Sequence, residues 1–120
     1  MRTVGLRPEV AVRLSRAMEA SFGRPVTAYL TDAYLAAGCC IGVVYRHVRA
    51  DIWGRFQDGH RVRTSDVLVT HQQSEFWVLH TFTGSLYVVV SFMEKEGRQS
   101  LDVLLESRRK GMHTTPRVLQ

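Results

Sequence analysis

Cysteine and lysine are scarce in this sequence of 120 residues, and the shortage of cysteine excludes some classes of protein. The only two cysteines, Cys39 and Cys40, are adjacent, so they cannot build the disulfide framework of a small secreted domain. Neither belongs to a Cys-x-x-Cys pair, and no glycine-rich phosphate-binding loop is present. We therefore expect a reduced, cytoplasmic protein that holds no cofactor and no metal.

Long apolar runs are also missing. Residues 76–93 carry no charge, but His80 and Thr81 interrupt the run and Gly84 breaks it at its centre. A membrane helix needs about 20 predominantly apolar residues, so a buried β-hairpin explains this stretch better. Charged side chains also interrupt residues 1–24, unlike a secretory signal peptide. We expect no membrane partner.

The composition is that of a folded domain, with 45% hydrophobic and 22% charged residues. The length fits one domain, which we place at residues 1–111, followed by a flexible C-terminal tail over residues 112–120. The sequence contains no internal repeat and no low-complexity segment.

Two segments have helical patterns. Residues 8–22 repeat apolar side chains every four positions, and Pro8 suits the first helical position. Residues 100–110 predict a short second helix, with Ser100 as its N-terminal cap and Gly111 as its end.

The middle of the chain has the pattern of strands joined by tight turns. Strands are predicted at residues 39–48, 60–70, 76–82 and 86–92, with turns at Asp58-Gly59 (type I′) and residues 83–85. Gly42 lies inside a strand and indicates a bulge, a bend or a close backbone contact. Residues 88–90 are valines, so both faces of that strand are apolar and we expect it to be central or covered by a helix.

Residues 25–35 fit either a strand or a helix. Their Thr, Tyr and Val content favours a strand, while their Ala and Leu residues favour a helix; we interpret the segment as a strand. The predicted fold is α+β. An N-terminal helix and a short C-terminal helix pack on a twisted antiparallel sheet of five or six strands, or on a partial barrel.

No reaction centre is recognisable. The cysteines lie within a strand without an adjacent basic residue, which is typical of packing. The histidines His47, His60, His71 and His80 lack the spacing of a zinc site, although hairpins can bring distant histidines together. We predict that the protein is not an enzyme.

The basic residues are the best candidates for a binding site. The net charge is +5, with 14 Arg against 2 Lys, and Arg binds phosphate and carboxylate groups in a bidentate manner. The simpler interpretation is a solvated surface. The aromatic side chains Tyr45, Trp53 and Phe56 are interleaved with the arginines, as in surfaces that stack bases. The candidate binding residues are Arg46, Arg49, Trp53, Arg55, Arg61 and Arg63.

Three short pieces of the middle of the chain carry a resemblance. They are residues 42–47 (GVVYRH), residues 58–65 (DGHRVRTS), and Thr81, Gly84 and Tyr87 in the last hairpin. Together they resemble a group of small phage and prophage accessory proteins, in which a glycine often precedes the histidine where this chain has Arg46. The resemblance implies an origin in a mobile element and brings no catalytic activity with it.

A second resemblance lies at the N-terminus. Residues 1–8 (MRTVGLRP) followed by two candidate helices are similar to a ribbon-helix-helix repressor, which reads bases with paired strands. The resemblance implies that Arg2 and Thr3 contact DNA. It requires residues 25–35 to be a helix.

We therefore expect a non-enzymatic phage or mobile-element protein in the host cytoplasm, acting as a monomer or homodimer. Its partner would be a host protein or nucleoprotein complex, and inhibition of a defence system such as a CRISPR complex is the most concrete version. The alternative is a nucleic-acid-binding protein that uses the arginines or a ribbon-helix-helix dimer.

Overall fold

The computed structural model describes residues 5–110. The candidate DNA readers Arg2 and Thr3 and the predicted tail at residues 112–120 lie outside the described residues. Two helices and six strands follow one another in the order α1 (Pro8–Glu19), β1 (Ala28–Ala36), β2 (Cys39–Tyr45), β3 (Arg61–Arg63), β4 (Val67–Gln73), β5 (Phe76–Thr81), β6 (Leu86–Val89) and α2 (Gly97–Arg109).

The strands form one sheet in the order β3-β2-β1-β6-β5-β4. The pair β1–β6 is parallel and every other pair is antiparallel, so the sheet is mixed and not purely antiparallel as predicted. The reason is the direction of the chain between β3 and β4. The chain passes from one to the other without reversing, and the β4–β5–β6 meander therefore returns parallel to β1.

The sheet is curved but not closed. The edge strands β3 and β4 are successive in the chain, and only residues 64–66 join them. In a flat sheet five strand spacings would separate them by roughly 24 Å, whereas four residue steps reach at most about 14 Å. The sheet must therefore coil, and the N–H of Val67 donates to the carbonyl of Gly38 in the β1–β2 turn at 2.8 Å.

The helices cover opposite faces of the sheet, which confirms the predicted α+β class. On the α1 face, Val10, Leu14 and Ala17 of the helix pack with Val78 and Val88 of the strands. On the other face, Leu101 of α2 packs into a second cluster; its further members include Leu30, Val44, Leu79 and Val89. All four residues of β6 are buried, as expected for the central strand of the prediction.

Residues 28–36 form β1, so the strand interpretation of this segment is confirmed. The second helix that a ribbon-helix-helix unit needs is therefore absent from this segment. β1 contains a bulge between Thr31 and Tyr34, where Asp32 has φ of +50°. Gly42 lies opposite the bulge, and a Cβ there would meet the carbonyl oxygen of Thr31 at 3.2 Å. The predicted close backbone contact at Gly42 is confirmed.

The turns show where the sequence pattern was wrong. Asp58-Gly59 is not the tip of a type I′ hairpin, because φ is positive at Gly59 (+91°) but not at Asp58. Positive φ at both central residues, as a type I′ turn requires, occurs instead at Ala37-Gly38 (+52° and +83°) and at Ser74-Glu75 (+52° and +73°). The sequence predicted a loop over residues 72–75, but β4 continues to Gln73.

The two helices differ from their predicted limits. α1 ends at Glu19, three residues early, and Phe22 still packs edge-on against Phe76 with ring centroids 6.4 Å apart. α2 begins at Gly97, so Ser100 is not its cap. The hydroxyl of Ser100 instead accepts the N–H of Leu35 at 2.8 Å and joins the helix to β1.

Candidate interaction loop

The connection between β2 and β3, residues 46–60, is the longest between neighbouring strands and carries four of the six candidate residues. We call residues 46–60 the Trp53 loop. Its start is fixed to the sheet because the N–H of Val48 donates to the carbonyl of Thr27 at 2.8 Å. Its end is fixed because the carboxylate of Asp58 accepts the N–H of Arg46 at 2.7 Å. The loop is therefore anchored at both ends.

His47 forms the base of the loop. Its ring is 5% exposed, stacks on Phe56 with centroids 4.2 Å apart and meets the edge of Tyr87 at 6.2 Å. Nδ1 of His47 accepts the N–H of Arg49 at 3.0 Å, so that nitrogen carries no proton. Burial, and then the charge of Arg49, lower the pKa of His47. The imidazole at the base of the loop is therefore neutral.

Asp51 organises the tip. Its Oδ1 accepts the N–H groups of Trp53 and Arg55 at 3.0 Å each, and its Oδ2 accepts Nε of Arg55 at 2.6 Å. Its backbone carbonyl accepts the N–H of Gly54 at 3.3 Å and the side chain of Gln57. Partial burial raises the pKa of Asp51, but the bonds from Arg55 and Trp53 and the charge of Arg55 outweigh it, and the net pKa is lowered.

The tip presents two large apolar side chains to solvent. Ile52 is 87% exposed and Trp53 is 80% exposed, the highest values among the large exposed apolar side chains of the described chain. An exposed tryptophan at a fixed position is typical of a binding surface, because burying it releases a large apolar area.

The candidate arginines fall into two groups. Arg46, Arg49 and Arg55 lie on the Trp53 loop and are exposed, although Arg55 is paired with Asp51 and Arg49 reaches Ser85 at 3.3 Å. The other two, Arg61 and Arg63, lie on the edge strand β3, both exposed, with Val62 between them.

The aromatic residues of this region have different roles. Tyr45 is buried in the core on the α1 face, and Phe56 stacks on His47, so neither is free to stack on a base. Trp53 alone of the three is exposed. Sequence reasoning missed Ile52, although an aspartate just before two apolar residues and a glycine is a turn signal that could have found it.

The cysteines are buried, as the packing interpretation predicted. Burial, and then the neighbouring Cys39, raise the pKa of the Cys40 thiol to about 12. The thiol of Cys39 donates to a carboxylate oxygen of Asp66 at 3.5 Å. Cys40 is therefore a neutral thiol at physiological pH, and the thiolate needed for nucleophilic attack is not available there.

The structure brings two of the four histidines together. His71 and His80 stack on neighbouring strands with centroids 5.2 Å apart, and Arg24 lies 3.4 Å from Nδ1 of His80. Burial, then His71 and Arg24, lower the pKa of His80. No group of three potential metal ligands occurs within residues 5–110.

Comparison with known proteins adds no assignment: no family model, no curated protein and no solved structure matches this chain. The resemblance to phage accessory proteins therefore remains a prediction. Within residues 5–110, neither α1 nor α2 has the length and apolar character required to cross a membrane.

Proposed function

We propose that the protein is a non-enzymatic binding protein whose Trp53 loop docks on an acidic surface of a protein partner. The observation that carries the proposal is the exposure of Ile52 and Trp53 on a loop held in one conformation by Asp51. Tryptophan and arginine are the residue types that contribute most to protein interfaces, and both are concentrated here.

The rigidity of the loop supports tight binding. The three bonds to the Asp51 carboxylate and the anchors at Val48 and Asp58 restrict the backbone before any partner arrives. A preorganised loop loses less conformational entropy on binding than a mobile one. Trp53 can then enter a pocket of the partner as a fixed wedge.

The positive charge of the Trp53 loop favours a partner with an acidic surface. Arg46 and Arg49 precede the apolar tip on the same loop, are exposed, and have no carboxylate partner in the described part of the chain. Such a basic rim favours association with an acidic surface and makes its rate depend on salt. Together with the phage-like residues 42–87, this suits an accessory protein that occupies a host protein or complex, with inhibition of a defence complex as the most concrete case.

The test compares three forms of the immobilised protein in lysate of the source cells: wild type, Trp53→Ala and Phe82→Ala. Phe82 is an aromatic control, 68% exposed and outside the loop. We expect the wild type and Phe82→Ala to retain one protein partner and Trp53→Ala to lose about 2 kcal/mol of binding free energy, roughly 30-fold in affinity. Equal retention by Trp53→Ala, or no partner at all, would contradict the proposal.

The exposed edge strand β3 favours nucleic-acid binding as a second candidate function. Arg61 and Arg63 project from one side of an exposed edge strand, where they can contact successive phosphates of a nucleic acid. The ribbon-helix-helix form of this alternative is not available, because residues 28–36 are a strand.

Electrophoretic shift at several salt concentrations tests this second candidate. Each phosphate contact on duplex DNA contributes about −0.9 to the slope of log affinity against log salt. We expect the double variant Arg61→Ala/Arg63→Ala to flatten that slope by about two contacts, and the control Arg7→Ala/Arg109→Ala, with the same charge change, to leave it unchanged. No shift at low salt would dismiss nucleic-acid binding.

A further inference from the structure

The two edges of the sheet differ in their protection against strand pairing. β3 has only three residues, and two of them are arginines. β4 has seven residues, Val67–Gln73, with no charge and no proline. Native edges are blunted by short length, charge, proline or bulges, and β4 has only the last of these, a bulge between Val67 and Val69.

The outward backbone groups of β4 can be identified from its ladder with β5. Gln73 pairs with Phe76 next to the two-residue turn, which makes it a hydrogen-bonded pair, and such pairs alternate along the strand. The peptide groups of Thr70 and Gln72 therefore point away from β5. Arg108 occupies the carbonyls of Val67 and Leu68 at the start of the strand. Within residues 5–110, no hydrogen bond reaches the outward groups of Thr70 and Gln72.

We propose that β4 pairs antiparallel with β4 of a second copy of this chain, with Thr70 of each copy facing Gln72 of the other. This register forms four hydrogen bonds from the outward groups of Thr70 and Gln72 alone. It joins two six-stranded sheets across a two-fold axis at His71. The surface is separate from the Trp53 loop and does not depend on its function.

The charges at the two ends of β4 argue for a second copy as the occupant. In this register, with the bulge taken into account, the start of β4 in one copy lies near the Ser74-Glu75 turn of the other. Arg108 is held at Val67, and Glu75 is exposed in its ion pair with Arg16, so the carboxylate of this ion pair lies near the basic end of α2 of the other copy, twice in the dimer. The strand between them is uncharged and meets no like charge in an identical strand. Leu68 and Val69, 49% and 54% exposed, gain cover from the facing turn.

Sedimentation equilibrium of the full chain tests the proposal with three variants. Thr70→Pro removes an outward N–H without breaking the β5 ladder, and proline is tolerated on edge strands in that orientation. Glu75→Lys reverses the charge that faces Arg108. Glu94→Lys changes the net charge equally at an exposed residue outside β4, and it serves as the control. Circular dichroism verifies that each variant is folded.

We expect a wild-type dimer, a dissociation constant at least tenfold weaker for Thr70→Pro and Glu75→Lys, and no change for Glu94→Lys. Amide hydrogen exchange provides a second readout, because Thr70 and Gln72 should exchange more slowly as the protein concentration rises. A monomeric wild type overturns the proposal. So does a dimer in which those two amides exchange at the same rate at every concentration.

Discussion

Asp51 fixes the backbone of Trp53, since Oδ1 of the carboxylate accepts the Trp53 N–H at 3.0 Å. The same oxygen accepts the N–H of Arg55, and the other oxygen accepts its guanidinium. One side chain thus sets the conformation of the whole tip. Hydrogen bonds to the backbone thus fix the position of Trp53, and its exposed indole ring contributes little packing.

Replacing Asp51 by Ala should therefore release the tip while leaving the rest of the fold intact. We expect NMR order parameters of residues 52–55 to fall below about 0.6, the range of flexible backbone. The unfolding free energy should change little, because the tip buries few apolar side chains. Asp51→Asn is the matched control: it keeps Oδ1 as an acceptor and should preserve order at Trp53. Unchanged order parameters in Asp51→Ala would show that other contacts fix the tip.

His47 should make the protein less stable as the pH falls. Burial and Arg49 lower its pKa in the folded state below the ordinary value of 6.5, so the unfolded chain binds a proton first. Stability is therefore full above about pH 6.5 and decreases below it. Protonation also removes the acceptor for the Arg49 N–H, so the base of the Trp53 loop opens.

Urea unfolding at pH 7 and pH 5 measures this effect. His47→Asn keeps an acceptor for Arg49 but does not titrate, so its loss of stability between the two pH values should be smaller than that of the wild type. His80, whose pKa is also lowered, contributes in the same direction in both proteins. Parallel losses in wild type and variant would remove His47 as the cause.

Much of the fold could be predicted from local pattern. The period of four in α1 and the run of valines in β6 each reflect which faces are buried, and both were interpreted correctly. The parallel β1–β6 pair could not be predicted, because it depends on the chain passing from β3 to β4 without reversal. Residues 64–66 follow that path through bonds to strands distant in sequence: the N–H of Thr64 donates to the carbonyl of Cys40, and the carbonyl of Asp66 accepts the N–H of Phe82.

The candidate site was predicted in part. An aromatic among arginines singled out Trp53, but the same rule singled out Tyr45 and Phe56, which the structure buries or stacks. Exposure depends on tertiary packing, and sequence composition does not report it. The loop predicted over residues 72–75 contains the Ser74-Glu75 turn, but its type could not be predicted, because neither residue is the glycine or asparagine that usually marks a type I′ turn.

Ser100 should contribute to stability through Leu35. Its hydroxyl accepts the Leu35 N–H at 2.8 Å and donates to the carbonyl of Gly97 at 2.5 Å. Ser100→Ala leaves a half-buried N–H without a partner, which costs about 1–3 kcal/mol. Thermal unfolding measures the loss, with Ser15→Ala on the exposed side of α1 as the control. We expect Ser15→Ala to be neutral or slightly stabilising, because alanine is the better helix former. Equal melting temperatures for the two variants would contradict the role of Ser100.

Cys40 should resist alkylation in the folded protein. Its pKa of about 12 leaves roughly one thiol in ten thousand ionised at pH 8, and the side chain is fully buried. Cys39 is also buried, at 7% exposure, so iodoacetamide should modify neither residue until the protein unfolds. Peptide mass mapping before and after guanidinium treatment distinguishes the two sites, and the unfolded sample is the control for reagent activity. Rapid modification of Cys40 in the native state would mean that the α2 face of the sheet opens to solvent. Cys40 would then be a candidate nucleophile, because its burial is what keeps the thiol protonated and inaccessible.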